Sequence, residues 1–416
     1  MKTSKKTLYQ NTFFLYILTF SNQILNLITV PYQTRILGPE AYGKIGFASA
    51  MMIYFQMIMD FGFILSATED VSRYRDDSEE LSKIFLSVSI CKCFLAAIVF
   101  IVIILISQYN SQFLGDFGLL VLYFFVAFTT TLLPDFLYRG LELMKMITIR
   151  SVCIKTFFTI MIFFALKEPS DCYWIPGLTL IGNTAALLFV YWHIRYRLQL
   201  CIRPVSIRYL YGKMKRSALF FTSRIASTVY GTMNTVVLKY VYPTGTYLGY
   251  YTSSDKLIVA ARAGFSPICD SLFPYMVRTK DYRLIKRIIF WGAPIITIGT
   301  LLVGYFATEF CELLFGAEFA QSANVLRALL PIIPIDFVSY IVAFPLLAPL
   351  GKTKEANYSN VMGAMMHLCL FVMLTVTDKL NIYSICLATC ATEAVVCAYR
   401  ILVALRALLN EKGNQS

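Results

Sequence analysis

The chain has 416 residues, of which 58% are hydrophobic, 15% aromatic and only 15% charged, with a formal net charge of +13. A soluble domain carries about 25% charged residues, so an ordinary cytosolic enzyme is excluded. Nucleic-acid binding needs basic residues on a solvated face; here they punctuate long apolar runs such as Phe94 to Ile106 and Phe157 to Ala165.

A spanning helix takes roughly 20 mostly apolar residues, and the runs place twelve spans at about 11–33, 46–66, 84–106, 118–138, 148–166, 174–194, 217–238, 247–270, 288–308, 325–349, 356–377 and 381–403. Met1 to Lys6 is basic, but the run behind it is long and ends at Pro31, so it reads as a first helix and not as a cleaved signal. With the N-terminus inside, 25 of the 37 basic residues fall in cytoplasmic segments. Only five fall in outer loops (Arg35, Lys44, Lys167, Lys239 and Lys379), and seven lie inside spans. That asymmetry follows the positive-inside rule and places both termini on the cytoplasmic side. The runs are too long for barrel strands and do not alternate.

The longest polar interruption, Arg195 to Arg216 with Pro204 inside it, follows the sixth span. It divides the chain into an N-terminal lobe (residues 1–197), a basic cytoplasmic linker (198–216) and a C-terminal lobe (217–416). A weak internal resemblance supports duplication. Leu37-Gly38-Pro39-Glu40-Ala41-Tyr42-Gly43 leads into Ile45-Gly46-Phe47, as Tyr242-Pro243-Thr244-Gly245-Thr246-Tyr247 leads into Leu248-Gly249-Tyr250. The expected fold is an all-α membrane protein with about twelve transmembrane helices in two pseudo-symmetric six-helix lobes, a parallel repeat.

Polar stripes mark a candidate cavity. In the first span Asn22, Asn26, Thr29 and Gln33 share one helical face, and in the seventh Ser223, Ser227, Tyr230 and Asn234 do the same, with Arg224 beside them. Such stripes either line a wet cavity or glue helices together. Charges inside spans are costly and therefore functional candidates: Lys92, Lys155, Arg224, Asp255, Lys256, Arg262, Asp270, Asp336 and Glu393, with Gln56, Asp60 and His367 as polar company. The cations Lys92, Lys155, Arg224, Lys256 and Arg262 come from four spans, and if they converge they suit an anion such as a phosphate. Lys92 and Lys155 could instead snorkel to the cytoplasmic side. Asp255 and Arg262 lie two turns apart on one face. Glu393 is a proton-carrier candidate or the partner of a cation, and Asp60 begins Asp60-Phe61-Gly62-Phe63 at a helix end, as a cap or hinge.

Pro331, Pro334, Pro345 and Pro349 predict an irregular tenth span. Of eleven cysteines most lie within spans as small apolar packers, with a Cys172 to Cys311 bridge as the alternative at the outer ends. No CxxC pair, His cluster, phosphate-cradling glycine loop or nucleophile–base pair occurs, so no metal or cofactor is expected.

The segment Pro31 to Gly43 resembles the first-loop signature of polysaccharide exporters of the Wzx O-antigen flippase type, in the multidrug/oligosaccharidyl-lipid/polysaccharide exporter superfamily. In the same order come Asp60-Phe61-Gly62-Phe63 with Ser66-Ala67-Thr68, Arg139-Gly140-Leu141-Glu142-Leu143-Met144-Lys145, Gly249-Tyr250-Tyr251 with Asp255-Lys256-Leu257, Pro267, Pro274, and Ala391-Thr392-Glu393. Arg139 departs from the glutamine that the family often has before that glycine.

The resemblance implies two lobes in a V that open alternately to each face of the bacterial inner membrane, moving undecaprenyl-diphosphate-linked oligosaccharide repeat units outward. On that reading Arg224, Lys256, Arg262, Lys92 and Lys155 serve the diphosphate, and Asn22, Asn26, Gln33, Ser223, Tyr230 and Asn234 face the sugars. Glu393, Asp255 and Asp60 are the coupling candidates for proton or sodium antiport. The implied partners are the lipid-linked oligosaccharide, membrane lipids, and transiently the polysaccharide polymerase and chain-length machinery, with no nucleic acid. A multidrug or cation exporter of the same architecture, which would favour acidic groups within spans, is the competing reading. A membrane glycan polymerase would be expected to carry a catalytic outer loop.

Overall fold

The computed structural model describes residues 5–109, 116–201 and 204–413, and the secondary structure among them is helical throughout. It clusters into two compact units, one of Met1–Leu37 with Lys44–Thr228 and one of Gly38–Gly43 with Val229–Ser416.

In the first unit, α1 (Lys5–Asp60) has 56 residues, about 84 Å of helix at 1.5 Å per residue and far more than one bilayer crossing. Gly38 divides it: its φ of 67° lies in the left-handed region, open to glycine at no steric cost, and Pro39 behind it cannot donate backward. A second break follows Asp60, where Phe61 (φ 42°) and Gly62 (φ 79°) turn the chain into α2 (Phe63–Arg73). Then come α3 (Ser78–Tyr109), α4 (Phe117–Leu132), the short α5 (Asp135–Gly140), α6 (Met144–Ala165) and α7 (Trp174–Tyr196). The first part of α8 (Ile207–Val241) completes the unit. A core of Phe63, Val71, Ile84, Val88, Phe136 and Leu137 ties α2, α3 and α5 together with Val190 and Ile194 of α7.

Part of the basic stretch behind α7 is helical. From Ile207 onward it is the opening of α8, and Lys213 donates to Asp70 of α2 at 2.6 Å while Arg216 pairs with both Asp70 and Glu69. Burial, and the carboxylates of Glu80 and Asp70, push the Tyr209 phenol upward.

In the second unit, α9 (Gly245–Thr279), α10 (Tyr282–Tyr305), α11 (Ala307–Phe315), α12 (Ser322–Leu329), α13 (Ile332–Ile341), α14 (Thr353–Val376) and α15 (Ile382–Gly413) follow the end of α8. Phe265, Phe337, Ile341, Leu347 and Ala404 form its core. The expected irregularity of the tenth span takes the form of a π-helical stretch, Val342–Leu347, with Pro345 inside it. The two segments of internal resemblance pack backbone on backbone here: a Cβ on Gly245 or Gly249 would run into the carbonyls of Glu40 and Pro39. Gly245 and Gly249 are one turn apart, the small-xxx-small spacing that lets helical backbones meet.

Among the described residues nine helical stretches are long and apolar enough to cross a membrane. The first of these, Tyr16–Arg73, holds two crossings divided at Gly38. α8 and α9, of 35 residues each, are long enough but carry the interior charges Arg224, Asp255, Lys256 and Arg262, which lower their hydropathy. With them counted as crossings, and two in Tyr16–Arg73, the described residues would hold the expected twelve. Phe290, Trp291, Ile295, Ile298 and Leu301 on α10 stand exposed, as lipid-facing side chains should. The eleven cysteines are free thiols, Cys172 and Cys311 included.

Candidate functional site

The end of α1 supplies the first interior charge. Phe61 stacks on Phe221 of α8 with ring centroids 4.5 Å apart, and the Cβ position of Gly62 lies 2.8 Å from the Ser217 carbonyl oxygen. These contacts bring Arg224, one turn beyond Phe221, to Asp60: Nη1 donates to Oδ2 at 2.7 Å. Lys92 of α3 approaches the other oxygen, Nζ to Oδ1 at 3.3 Å. Its ammonium also donates to the Thr131 carbonyl at 2.8 Å and lies 5.4 Å from the centroid of the Phe136 ring.

Two cations thus share one carboxylate, and the three side chains together carry a formal charge of +1. The cations differ in access. The Lys92 side chain is 4% exposed, Asp60 12% and Arg224 40%. Lys92 is therefore fixed inside and does not snorkel, while Arg224 presents a wet edge of the cluster. Asp60 stands at a break between helices, as expected of a hinge position, and is in addition a shared counter-ion. Lys155 sits half-buried on α6.

In the second unit the balance is reversed. Arg262 of α9 donates from Nε to Asp336 Oδ2 at 2.5 Å and from Nη2 to Glu393 Oε1 at 2.7 Å. Asp255, two turns away on the same helix, is not one of these two partners. One guanidinium here meets two carboxylates, and the buried Asp336 Oδ1 has no hydrogen-bond partner. Lys256 is exposed and Asp255 half-buried.

Sequence reading did not single out Arg400, which is 6% exposed and lies two turns beyond Glu393 on α15. Its Nε donates to Ser359 Oγ at 2.8 Å, Nη1 to Ser339 Oγ at 2.8 Å and Nη2 to Asn360 Oδ1 at 2.7 Å. These acceptors are neutral. The Glu393 to Arg400 spacing was its available signal, masked by the many basic residues at cytoplasmic helix ends.

The polar stripes divide. Asn26 is exposed and Asn22 half-buried, but Thr29 and Gln33 are buried, and Thr29 returns its hydroxyl to the Leu25 carbonyl at 3.0 Å. A single wet face along all four is therefore not what forms. Asn234 is likewise turned inward: Nδ2 donates to Tyr251 Oη at 2.7 Å and Thr389 Oγ1 at 2.9 Å, and Oδ1 lies 2.9 Å from His367 Nε2. With both ends of its amide engaged and only 6% of the residue exposed, Asn234 packs in the interior of the unit. Ser223, Ser227, Tyr230 and Asp270 have side chains outside the described residues.

Long apolar helices with paired ionisable groups in their interior define a multi-pass helical membrane protein. Residues 8–280 match the family described as "Polysaccharide biosynthesis protein", and the chain belongs to that family. The resemblance carried by the Pro31 to Gly43 signature is thereby borne out. A relative from Escherichia coli (strain K12), provisionally named an O-antigen transporter, is 24% identical over 97% of this chain and 98% of its own length. One from Shigella dysenteriae with the same provisional name is 24% identical over 86% of this chain and 91% of its own. Among solved structures, an inward-facing multidrug resistance MATE family transporter of the MOP superfamily aligns with TM-score 0.71 at 12% identity, covering 93% of this chain and 96% of its own. The lipid II flippase MurJ, in an inward closed conformation, aligns with TM-score 0.69 at 14% identity over 96% and 89%. At such identities the likeness is one of fold.

Proposed function

We propose that the protein is a flippase that carries undecaprenyl-diphosphate-linked repeat units of O-antigen, or a related surface polysaccharide, across the bacterial inner membrane by alternating access, with both termini cytoplasmic. The observation that carries this reading is the Asp60, Lys92 and Arg224 cluster, two cations on one carboxylate inside membrane-spanning helices, with the Arg224 side chain 40% exposed. A diphosphate needs cations in a partly dry site; a cationic drug would be repelled there. Arg262 holds no surplus positive charge while Asp336 and Glu393 engage it, so Arg224 leads in holding the diphosphate and Lys92 sets the field behind it. Lys155, Lys256 and Arg262 are secondary. Asn22 and Asn26 remain the amides proposed for sugar hydroxyls, and Glu393, Asp255 and Asp60 the carboxylates proposed for ion coupling. The relatives' names support polysaccharide cargo, and the polymerase and chain-length machinery would receive it.

The test is complementation of a null strain. Wild type restores surface polysaccharide; Arg224→Glu, expressed at equal level in the membrane, leaves lipid-linked repeat units in the inner leaflet. Undiminished surface display by that variant would remove the diphosphate role.

A further inference from the structure

Asp60 occupies the place that a phosphate would need. Both of its oxygens are taken by the two cations assigned to the diphosphate, Arg224 at 2.7 Å and Lys92 at 3.3 Å. We infer that Asp60 is a built-in competitor of the cargo: it neutralises Arg224 while the site is empty, yields it to an incoming diphosphate, and recaptures it on release. This rests on the diphosphate reading above.

The geometry assigns the moving part. Asp60 cannot follow Arg224, because it stands against a break formed by Phe61 and Gly62 at positive φ, with Phe61 held by Phe221 and Gly62 pressed on Ser217. Lys92 cannot leave either, being enclosed and donating also to the Thr131 carbonyl. Arg224 is the partner with an exposed, long and flexible side chain. When it lets go of Asp60, Lys92 remains as the counter-charge of that carboxylate. The buried carboxylate of Asp60 thus keeps a cation beside it at both stages, and stranding it without one would be resisted strongly.

Charge decides the competition. A carboxylate carries one negative charge and two acceptor oxygens, whereas a diphosphate carries more of both and can meet the guanidinium through two parallel hydrogen bonds. It outcompetes Asp60 for Arg224, while a phosphate-free lipid cannot. Asp60 also weakens the final hold on cargo, and a transporter needs that weakness to let go. Its role is therefore discrimination and release, in addition to organising the site.

The experiment uses the purified full chain in detergent, with farnesyl diphosphate as the short isoprenoid probe and farnesol as its phosphate-free control. Asp60→Asn should bind farnesyl diphosphate about tenfold more tightly than wild type, the scale of one removed charge interaction in a partly wet site. Farnesol binding should not change, and surface display in the null strain should fall because release is slowed. Asp60→Ser is a second neutral variant should Asp60→Asn not fold, and the same tightening is expected of it. Unchanged or weaker diphosphate binding in a folded neutral variant overturns the inference and leaves Asp60 a merely organising residue. Arg224→Gln separates the two levels: if it binds the diphosphate as wild type does, the diphosphate site itself is lost, whatever the Asp60 variants show.

Discussion

Arg224 donates to Asp60 at 2.7 Å across 164 residues of sequence, and the same carboxylate serves Lys92. The arrangement makes the two cations unequal in what their removal does. Lys92→Met takes away a buried charge and leaves one carboxylate with one cation, a balanced pair. Removing one member of a buried ion cluster is costly when it strands the other, but here Asp60 keeps Arg224 as its partner. Lys92→Met should therefore melt at or above the wild-type temperature in detergent while binding farnesyl diphosphate more weakly. A large drop in melting temperature would show that the Lys92 bond to the Thr131 carbonyl matters more than its charge.

Removing Arg262 has the opposite sign for stability. Asp336 is 1% exposed and Glu393 11%, and without the guanidinium they face each other in a site with little water. Stranding buried charge in this way costs about 3–5 kcal/mol, so Arg262→Ala should fold poorly. The triple variant Arg262→Met, Asp336→Asn, Glu393→Gln removes the whole ion cluster and should recover most of the lost stability. Thermal melts of the two purified variants measure this, and equal instability in both would mean that packing around Arg262 dominates.

The spans were legible because a bilayer imposes them: about 20 apolar residues per crossing, with basic residues kept to one side, leaves a pattern that no tertiary contact can disguise. The interior charges were legible for the same reason, since each is costly and hence conspicuous. Their pairing was not. Arg262 finds Asp336 and Glu393 at separations of 74 and 131 residues, and Asp60 finds Arg224 at 164, distances at which sequence periodicity carries no information. Asn234 and Asn26 looked alike on their stripes because helical spacing reports a shared face but not what lies opposite it. Only the partners Tyr251, Thr389 and His367 reveal Asn234 as interior.

That distinction yields a paired prediction. Asn234→Leu deprives the buried Tyr251 hydroxyl, the buried His367 ring and the half-buried Thr389 hydroxyl of their common partner, and a buried polar group left unsatisfied costs about 1–3 kcal/mol. The variant should be clearly destabilised, with cargo binding per folded molecule near wild type. Asn26→Leu, at an exposed position, should melt like wild type and lower surface polysaccharide display. Melting curves alongside glycan display separate the two roles, and a destabilised Asn26→Leu protein with normal display would place Asn26 with the helix glue.

The glycine crossing of the second unit gives the strongest steric prediction. A Cβ at Gly249 would overlap the Pro39 carbonyl, and one at Gly245 the Glu40 carbonyl; both neighbours are backbone, so neither can rotate aside. Gly264, on the same helix, has nothing within 4 Å of its Cβ position. Alanine in an open helical site gains about 0.5–1 kcal/mol over glycine. Gly264→Ala should therefore raise the melting temperature slightly, whereas Gly249→Ala should lower it and Gly249→Val should prevent accumulation of folded protein in the membrane. The measurement is fluorescence-detected size exclusion with a melt on whatever elutes as a single species. A Gly249→Val protein that melts like wild type would mean that α9 and the Pro39–Glu40 turn can separate without cost, and that backbone contact between the two repeated segments does not hold this unit together.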